Sequence, residues 1–358
     1  MIYVAIKAKE LAEKLGVSQA TISLVLNRKP GLSEKTRREL TERINEMGLQ
    51  YMFSDAEGEE GQEETSAPLE AEGGTDSIGF IIYTRGGELM EQSPFFPLIL
   101  NGLETTAKQR GYRLTVINVK RKSDMSEQIA YIKAAGCKGY VIFATEMLGD
   151  DVDPFLEIEV PIVLLDNYYL DRNINSVAVN NEQGTYALVN LLVNKGHRRI
   201  GYLGSGVNIV SFAERKECYF RALSKFGITD SQKYCFDVGY PEQPASLGMQ
   251  NVLNSGVELP TAFLTENDLV AYGAMRAMQA AGIRIPQDIS IVGFDDRPIC
   301  TLAEPMLTTV RIPRSRFGGE AIELLVNKIK QAADNIESYV KVEVCVDLIE
   351  RGSVTGIM

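Results

Sequence analysis

One histidine in 358 residues leaves little for acid–base catalysis. The chain also has no Gly-x-Ser-x-Gly elbow, no phosphate-binding loop and no metal-ligand cluster, so machinery for hydrolysis or phosphoryl transfer is absent and neither enzyme activity nor a cofactor is expected. The five cysteines, Cys137, Cys218, Cys235, Cys300 and Cys345, show no C-x-x-C spacing and read as reduced thiols of a cytoplasmic protein, neither a disulfide framework nor a zinc site. No run approaches the ~18 consecutive apolar residues of a membrane span, and the first residues lack the pattern of a secretory leader. Gly204-Ser205-Gly206 begins like a dinucleotide fingerprint, but the third glycine position is Ile209 and no acidic residue follows at the right place, so it reads as a turn. The single histidine, His197, precedes a strand and fits a structural hydrogen bond better than catalysis.

What is present is sharply partitioned charge. The chain carries a formal net charge of −11, yet residues 1–52 hold nine Lys and Arg against six Glu. Basic charge is kept where phosphates would be met. Within that segment Ile6, Leu11 and Leu15 recur at roughly helical spacing up to Gly16, which tolerates the backbone of a tight interhelical turn. Ser18 fits the N-cap of a second helix in which Ile22, Val25 and Leu26 face inward and Gln19, Ala20 and Ser23 face outward. A third helix runs from Ser33 to Gly48. An ordinary three-helix bundle shares this spacing; the basic surplus favours a helix-turn-helix whose second helix enters a DNA major groove.

Residues 53–76 carry nine Asp and Glu, no Lys or Arg and few apolar groups, and read as a flexible linker. From Ser77 onward short β-rich runs alternate with helical stretches: SIGFIIY, RLTVINV, GYVIFA, PIVLLD, SVAVN, RRIGYLG, TAFLTEN, DISIVGFDD and LTTVRIP. Such alternation predicts βαβ units and parallel sheets. Some 280 residues exceed one comfortable domain, so the expectation is an all-α headpiece followed by an α/β core of two doubly wound lobes with a cleft at the carboxyl ends of the strands.

The headpiece sequence GVSQATISLVLNRKPGLSEKTRREL closely resembles that of the lac repressor (LacI/GalR) family, matching at Gly16, Val17, Ser18, Thr21, Ile22, Ser23, Val25, Leu26, Asn27, Gly31, Leu32, Ser33, Thr36 and Arg37; Leu24 stands where the family often has Arg. The likeness continues through NGLETTAKQRGY at 101–112, VNNEQG at 179–184, NKGHRRIGYLG at 194–204, TENDLVAYGAMRAM at 265–278, DISIVGFDD at 288–296 and PMLTTVRIP at 305–313. It implies a dimeric regulator that binds operator double-stranded DNA and a small effector between two periplasmic-binding-protein-like lobes joined by three crossovers. One lobe is expected at about 77–178 with 308–333, the other at about 179–307 with 339–352. A dimer is expected because tetrameric relatives carry a leucine-heptad tail, for which the seven residues after Arg351 are too few.

The DNA-binding candidates are Ser18, Gln19, Ala20, Thr21, Ser23, Asn27, Arg28 and Lys29. The resemblance also places effector-binding candidates. Phe95 and Phe96 either stack on a ligand ring or belong to the core. Arg215 offers a planar fork of donors for vicinal hydroxyls or a carboxylate, or is solvated. Ser211 lies one turn before it. Asp295 ends a strand and can accept two hydroxyl hydrogen bonds, while Asp296 fits a structural cap. Asn267 is equally a helix cap and a ligand contact. Asp166, Asn167 and Tyr169 end another strand. The reading is a repressor of carbohydrate genes whose effector is a sugar, with a nucleobase or nucleoside as runner-up, or a sugar sensor with weak or lost operator binding.

The strongest departure from the family lies after the third helix. Most relatives have a hinge helix of the pattern P-N-x-x-A-R-x-L, whose Leu wedges into the minor groove, whereas here Tyr51-Met52-Phe53 leads into the acidic run. Such a run is repelled by phosphate and spans about 25–30 Å as a coil. Little DNA bending is therefore expected, with affinity rising when the linker acids are replaced by Ser and Gln. A sharply kinked operator by fluorescence energy transfer, or weaker binding by the neutral linker, contradicts this.

Overall fold

The computed structural model describes residues 76–86, 96–333 and 338–357, together with scattered positions between 15 and 43. Contacts divide the chain into two units, Met1–Glu72 and Gly73–Met358. In the first, Leu15, Ile22, Val25 and Leu40 are each buried with no more than 5% exposure, so Ile22 and Val25 of the second helix do face inward, while Leu26 lies outside the described residues. Ser18 caps that helix: its Oγ accepts from the Thr21 N–H at 3.0 Å while its carbonyl takes the Ile22 N–H at 3.1 Å. Gln19, Ala20, Ser23, Asn27, Arg28, Lys29, the linker up to residue 75 and Phe95 lie outside the described residues.

The second unit contains two parallel sheets. The first is formed by β1 (Ser77–Thr84), β2 (Arg113–Lys120), β3 (Tyr140–Phe143), β4 (Ile162–Leu165), β5 (Asn175–Val179) and, arriving late in sequence, β11 (Lys341–Val344), in the order β11-β5-β4-β3-β1-β2. The second is formed by β6 (Ile200–Gly204), β7 (Cys235–Asp237), β8 (Ala262–Thr265) and β9 (Ser290–Val292), in the order β7-β6-β8-β9. A short antiparallel ribbon pairs β10 (Thr309–Arg311) with β12 (Asp347–Ile349). All nine β-rich runs seen in the sequence are strands; β7, β11 and β12 are additional.

Parallel strands need crossover helices, and these cover both faces of each sheet. They are α1 (Phe96–Gln109), α2 (Met125–Ala134), α3 (Asn181–Asn194), α4 (Val210–Lys225), α5 (Glu242–Asn254), α6 (Asp268–Ala280), the one-turn α7 (Ile299–Leu302) and α8 (Arg314–Ala333). Successive strand residues face opposite ways, so Phe80, Val141 and Val163 join the core under α1 and α8 while Ile81, Ile142 and Leu164 join the opposite core with Ile129 and Ile132 of α2. In the second sheet Leu203, Phe263 and Ile291 pack under α5 and α6.

The chain passes between the lobes after β5, between β10 and α8, and between β11 and β12. Two boundaries expected from the sequence need correcting. Residues 341–344, assigned to the second lobe, pair with β5 in the first sheet, where the Val344 carbonyl accepts from the Asn180 N–H at 3.0 Å. Residues 308–311, assigned to the first lobe, run beside the second, with Thr308 bridging Val292 and the Gly293 N–H donating to the Thr308 carbonyl at 2.9 Å. Both errors have one cause: near a crossover the pairing partner, set by long-range backbone hydrogen bonds, decides which lobe a strand joins. Among the described residues no helix is long and apolar enough to cross a membrane.

Close approach of α1 and α8 fixes the first lobe. A Cβ on Gly102 would lie 2.0 Å from the Ser315 carbonyl oxygen, so only glycine lets the two backbones meet. Gly102→Ala must push the helices apart and is expected to cost about 1–3 kcal/mol by denaturant unfolding. A loss within experimental error would contradict the described packing.

Candidate functional site

Between the lobes lies a cleft of about 710 Å³, part of it open solvent. Its polar lining is Thr145, Asp166, Ser211, Arg215, Tyr240, Asn267, Asp295, Arg297 and Arg314, and its apolar walls include Phe143, Phe212 and Phe317. Five residues singled out from the sequence, Asp166, Ser211, Arg215, Asn267 and Asp295, therefore come together although 129 positions separate the first from the last.

Arg215 is the centre. It projects from α4 with 4% exposure, and a buried guanidinium needs acceptors on every side. Its Nε donates to Asn181 Oδ1 at 2.9 Å, its Nη1 donates to the Glu266 carbonyl at 2.9 Å and stands 3.3 Å from Asp295 Oδ1, and its Cζ lies 3.7 Å from the Phe294 ring centroid. The bonds extend outward: Asn181 Nδ2 donates to Glu214 Oε2 at 2.8 Å, and the Tyr168 hydroxyl, from the loop after β4, donates to Glu214 Oε1 at 2.6 Å. Lys341 of β11 stands 3.2 Å over the Tyr168 ring. A continuous polar chain thus ties residues of the first lobe to α3, α4 and the end of β8.

The acids are held by unusual backbone. Asp166 and Asp295 have φ of 69° and 111°, in the left-handed region that non-glycine residues seldom occupy, and both follow the carboxyl ends of strands facing the cleft. Asp166 Oδ2 accepts from the Thr145 hydroxyl at 2.6 Å, yet burial raises its pKa to about 6. Burial also raises Glu266, which accepts from the Ser205 N–H at 2.6 Å and from the Ser205 hydroxyl. Asp268, behind Asp295, is raised chiefly by burial and then by the neighbouring Asp295 charge.

Other sequence readings resolve differently. Asn267 is a cap, its Oδ1 accepting from the Leu269 and Val270 N–H groups at 3.0 Å each, and it also lines the cleft. Phe96 does not line it: its ring stacks on Phe80 at 5.9 Å and meets Phe143 edge-on at 6.1 Å, because the first turn of α1 points into the core. Asn167 donates to the Ala144 and Met147 carbonyls and Tyr169 packs on the core behind β4, so neither reaches the cleft. Asp296 anchors Arg311 and Arg351 at 2.6 Å each. His197 bridges Thr261 Oγ1 and the Thr355 carbonyl at 3.0 Å each, a structural link as expected. Arg297, Arg314, Tyr240, Thr145 and the Asn181–Glu214 pair had not been singled out. Only Arg297, two residues after Asp295, carried a signal in its position.

Comparisons with known proteins fit this architecture. A periplasmic binding protein-like domain matches residues 189–354. The transcriptional repressor PurR of Aliivibrio salmonicida is 27% identical over 327 residues, covering 90% of this chain and 92% of the relative. That of Haemophilus influenzae is 25% identical over 352 residues, covering 98% and 99%. Among solved structures, a CelR–cellobiose complex matches with TM-score 0.67 at 22% identity over 97% of this chain and 99% of that one. CcpA from Weissella paramesenteroides with bound glucose matches with TM-score 0.66 at 20% identity over 78% and 99%.

The acid at the cleft has a pH signature. Because Asp166 has a folded-state pKa above its ordinary value, the folded protein keeps a proton that the unfolded chain has released between about pH 4 and about pH 6. Its ionised form therefore costs stability above that window and not below it. Asp166→Asn is expected to raise Tm above about pH 6, with the gain fading as pH falls to about 4. A gain equal at all pH values would contradict the burial argument.

A two-lobed α/β core, a periplasmic binding protein-like domain and similarity to the PurR repressors over nearly the whole length converge: the chain resembles the lac repressor (LacI/GalR) family of transcriptional regulators.

Proposed function

We propose that the core is a cytoplasmic effector sensor that binds a small sugar in the cleft and that, as a homodimer, the protein represses carbohydrate genes until the sugar arrives. The observation that carries this reading is the convergence of Arg215, Asp295 and Asp166 beside Phe143 and Phe212 in one cleft between the lobes. Carboxylates accept from sugar hydroxyls, a guanidinium donates to a vicinal pair, and aromatic walls cover a sugar's apolar face. Solved neighbours with bound cellobiose and glucose support the class. A second reading, a nucleobase or nucleoside, draws on the same phenylalanines as stacking surfaces.

Control follows from what the site spans. A ligand that touches both lobes stabilises one arrangement of them, and only such differential binding can shift the protein between states. The headpiece half of the proposal assigns base reading to Gln19, Ala20 and Ser23, with Thr21, Arg28 and Lys29 directed mainly to phosphates.

Two experiments check the two halves. At ~100 times its Kd the effector is expected to stabilise the protein by about 2.7 kcal/mol, and Arg215→Ala or Asp295→Ala to remove most of that gain while still folding. Wild-type affinity in both variants would place the site elsewhere. In selection from random DNA, Gln19→Ala is expected to relax one base pair per half-site, while Lys29→Ala weakens all sequences and flattens the salt slope. An unchanged motif for Gln19→Ala would overturn the base-reading assignment, and no shift with DNA from upstream of its own operon would leave a sensor without an operator.

A further inference from the structure

Two pairs of closely spaced residues face each other across the lobes. On the first lobe Asp166 and Tyr168 flank Asn167 in the turn after β4; on the second, Glu214 and Arg215 are adjacent on α4. Asp166 and Arg215 line the cleft, whereas Tyr168, Glu214 and Asn181 do not. These three meet beside it: the Tyr168 hydroxyl donates to Glu214 Oε1 at 2.6 Å, and Asn181 Nδ2 donates to Glu214 Oε2 at 2.8 Å while its Oδ1 accepts from Arg215 Nε at 2.9 Å. Both oxygens of Glu214 are thereby engaged. The Asn181 amide fits in one orientation, since its oxygen must meet a donor and its nitrogen an acceptor.

The first lobe holds its half of this contact in place. Buried Asn167 donates to the Ala144 and Met147 carbonyls at 2.9 and 2.8 Å and accepts from the Tyr168 N–H at 2.7 Å, so the turn is fastened to its own sheet. Lys341 of β11, in the same sheet, stands 3.2 Å over the Tyr168 ring and leaves the hydroxyl free to reach the second lobe. Burial, then the Glu214 carboxylate, push the Tyr168 phenol above its ordinary value, so it remains a donor throughout the physiological pH range. A hydrogen bond from a part-buried phenol to a carboxylate is stronger than a neutral one, and this one forms only with the lobes in this arrangement.

We propose that Tyr168 and Glu214 clasp the lobes together and, through Asn181, hold Arg215 in its binding position, so that they set effector affinity without touching the effector. This rests on the effector reading of the cleft and adds its regulation. The clasp is made by protein atoms alone, so it biases the lobes before any ligand acts. A ligand that spans Asp166 and Arg215 needs the same arrangement, and its apparent affinity falls with the fraction of molecules that adopt it. One pinned turn carries both Asp166 and Tyr168, so ligand and clasp favour each other, and by linkage each does so equally.

Single-molecule energy transfer in the full chain reads the lobes directly, with dyes on Tyr131→Cys in the first lobe and Asp230→Cys in the second, both exposed positions, and the exposed Cys345 replaced by Ser. With no sugar present, Tyr168→Phe, which keeps the ring over Lys341, is expected to raise the ratio of separated to joined lobes about tenfold. Glu214→Gln, which supplies one acceptor where two are needed, does the same, and the double variant adds little beyond either. Arg221→Gln, which alters a surface pair with Glu182 on the same helix, leaves the ratio unchanged. Each variant's thermal transition shows that it folds. An unchanged ratio in Tyr168→Phe overturns the proposal. Calorimetric titration of glucose, ribose and cellobiose then reads affinity. A sugar that binds the wild type is expected to lose affinity for Tyr168→Phe by at least the factor by which the joined fraction falls, and a smaller loss overturns the regulatory role. Separated lobes in Tyr168→Phe, with none of the three sugars bound by the wild type, support the clasp and speak against the sugar reading.

Discussion

A guanidinium removed from water must have its donors met and its charge balanced, and the cleft is arranged around that requirement at Arg215. Its acceptors come from α3, from the end of β8 and from the turn after β9, and the ring of Phe294 closes its flat face. Removing one partner of such a buried set costs far more than an exposed ion pair is worth, because the others are left unsatisfied. Arg215 thereby fixes the register of three elements. The left-handed backbone at Asp295 is held in the same way, by the ion pairs of its carboxylate and by an N–H donated to the Val310 carbonyl.

The same set of bonds reaches the other lobe. Asn181 and Glu214 relay from Arg215 to Tyr168, and Tyr168 carries Lys341 on its face. Asn181 begins α3 directly after the first crossover and Lys341 begins β11 before the last, so the relay follows the strands that join the lobes. A ligand that alters what Arg215 and Asp295 bind acts at the point where the lobes are already coupled, which makes effector binding and lobe arrangement one equilibrium.

Much of this was legible in the sequence, for identifiable reasons. Runs such as SIGFIIY and PIVLLD are strands buried on both faces, and their apolar continuity and flanking turn residues announce them. The three residues of β7 and the alternating KVEV of β11 carry too little local signal, and only pairing with a distant strand makes them sheet. At the cleft, Asn267 and Asp295 could be singled out from family-like segments, Asp166 from the end of a strand, and Arg215 and Ser211 from one helix a turn apart, and all five line it. Phe96 misled because a residue beside Ser93-Pro94-Phe95 says nothing about the direction of its ring, which Phe80 and Phe143 decide. Arg297 and Arg314 escaped because an arginine in a turn or at a helix start usually reaches solvent, and its burial depends on elements far away in sequence.

The central claim is that the ligand seats against Arg215 and Asp295 and takes hold of both lobes at once. A crystal structure of the core with the ligand that binds it tests this directly. The account expects density for one small polar molecule within hydrogen-bond distance of Arg215 and Asp295 on one side and Asp166 on the other. Density confined to one lobe, or lying outside the cleft with the Arg215 contacts unchanged, would contradict it.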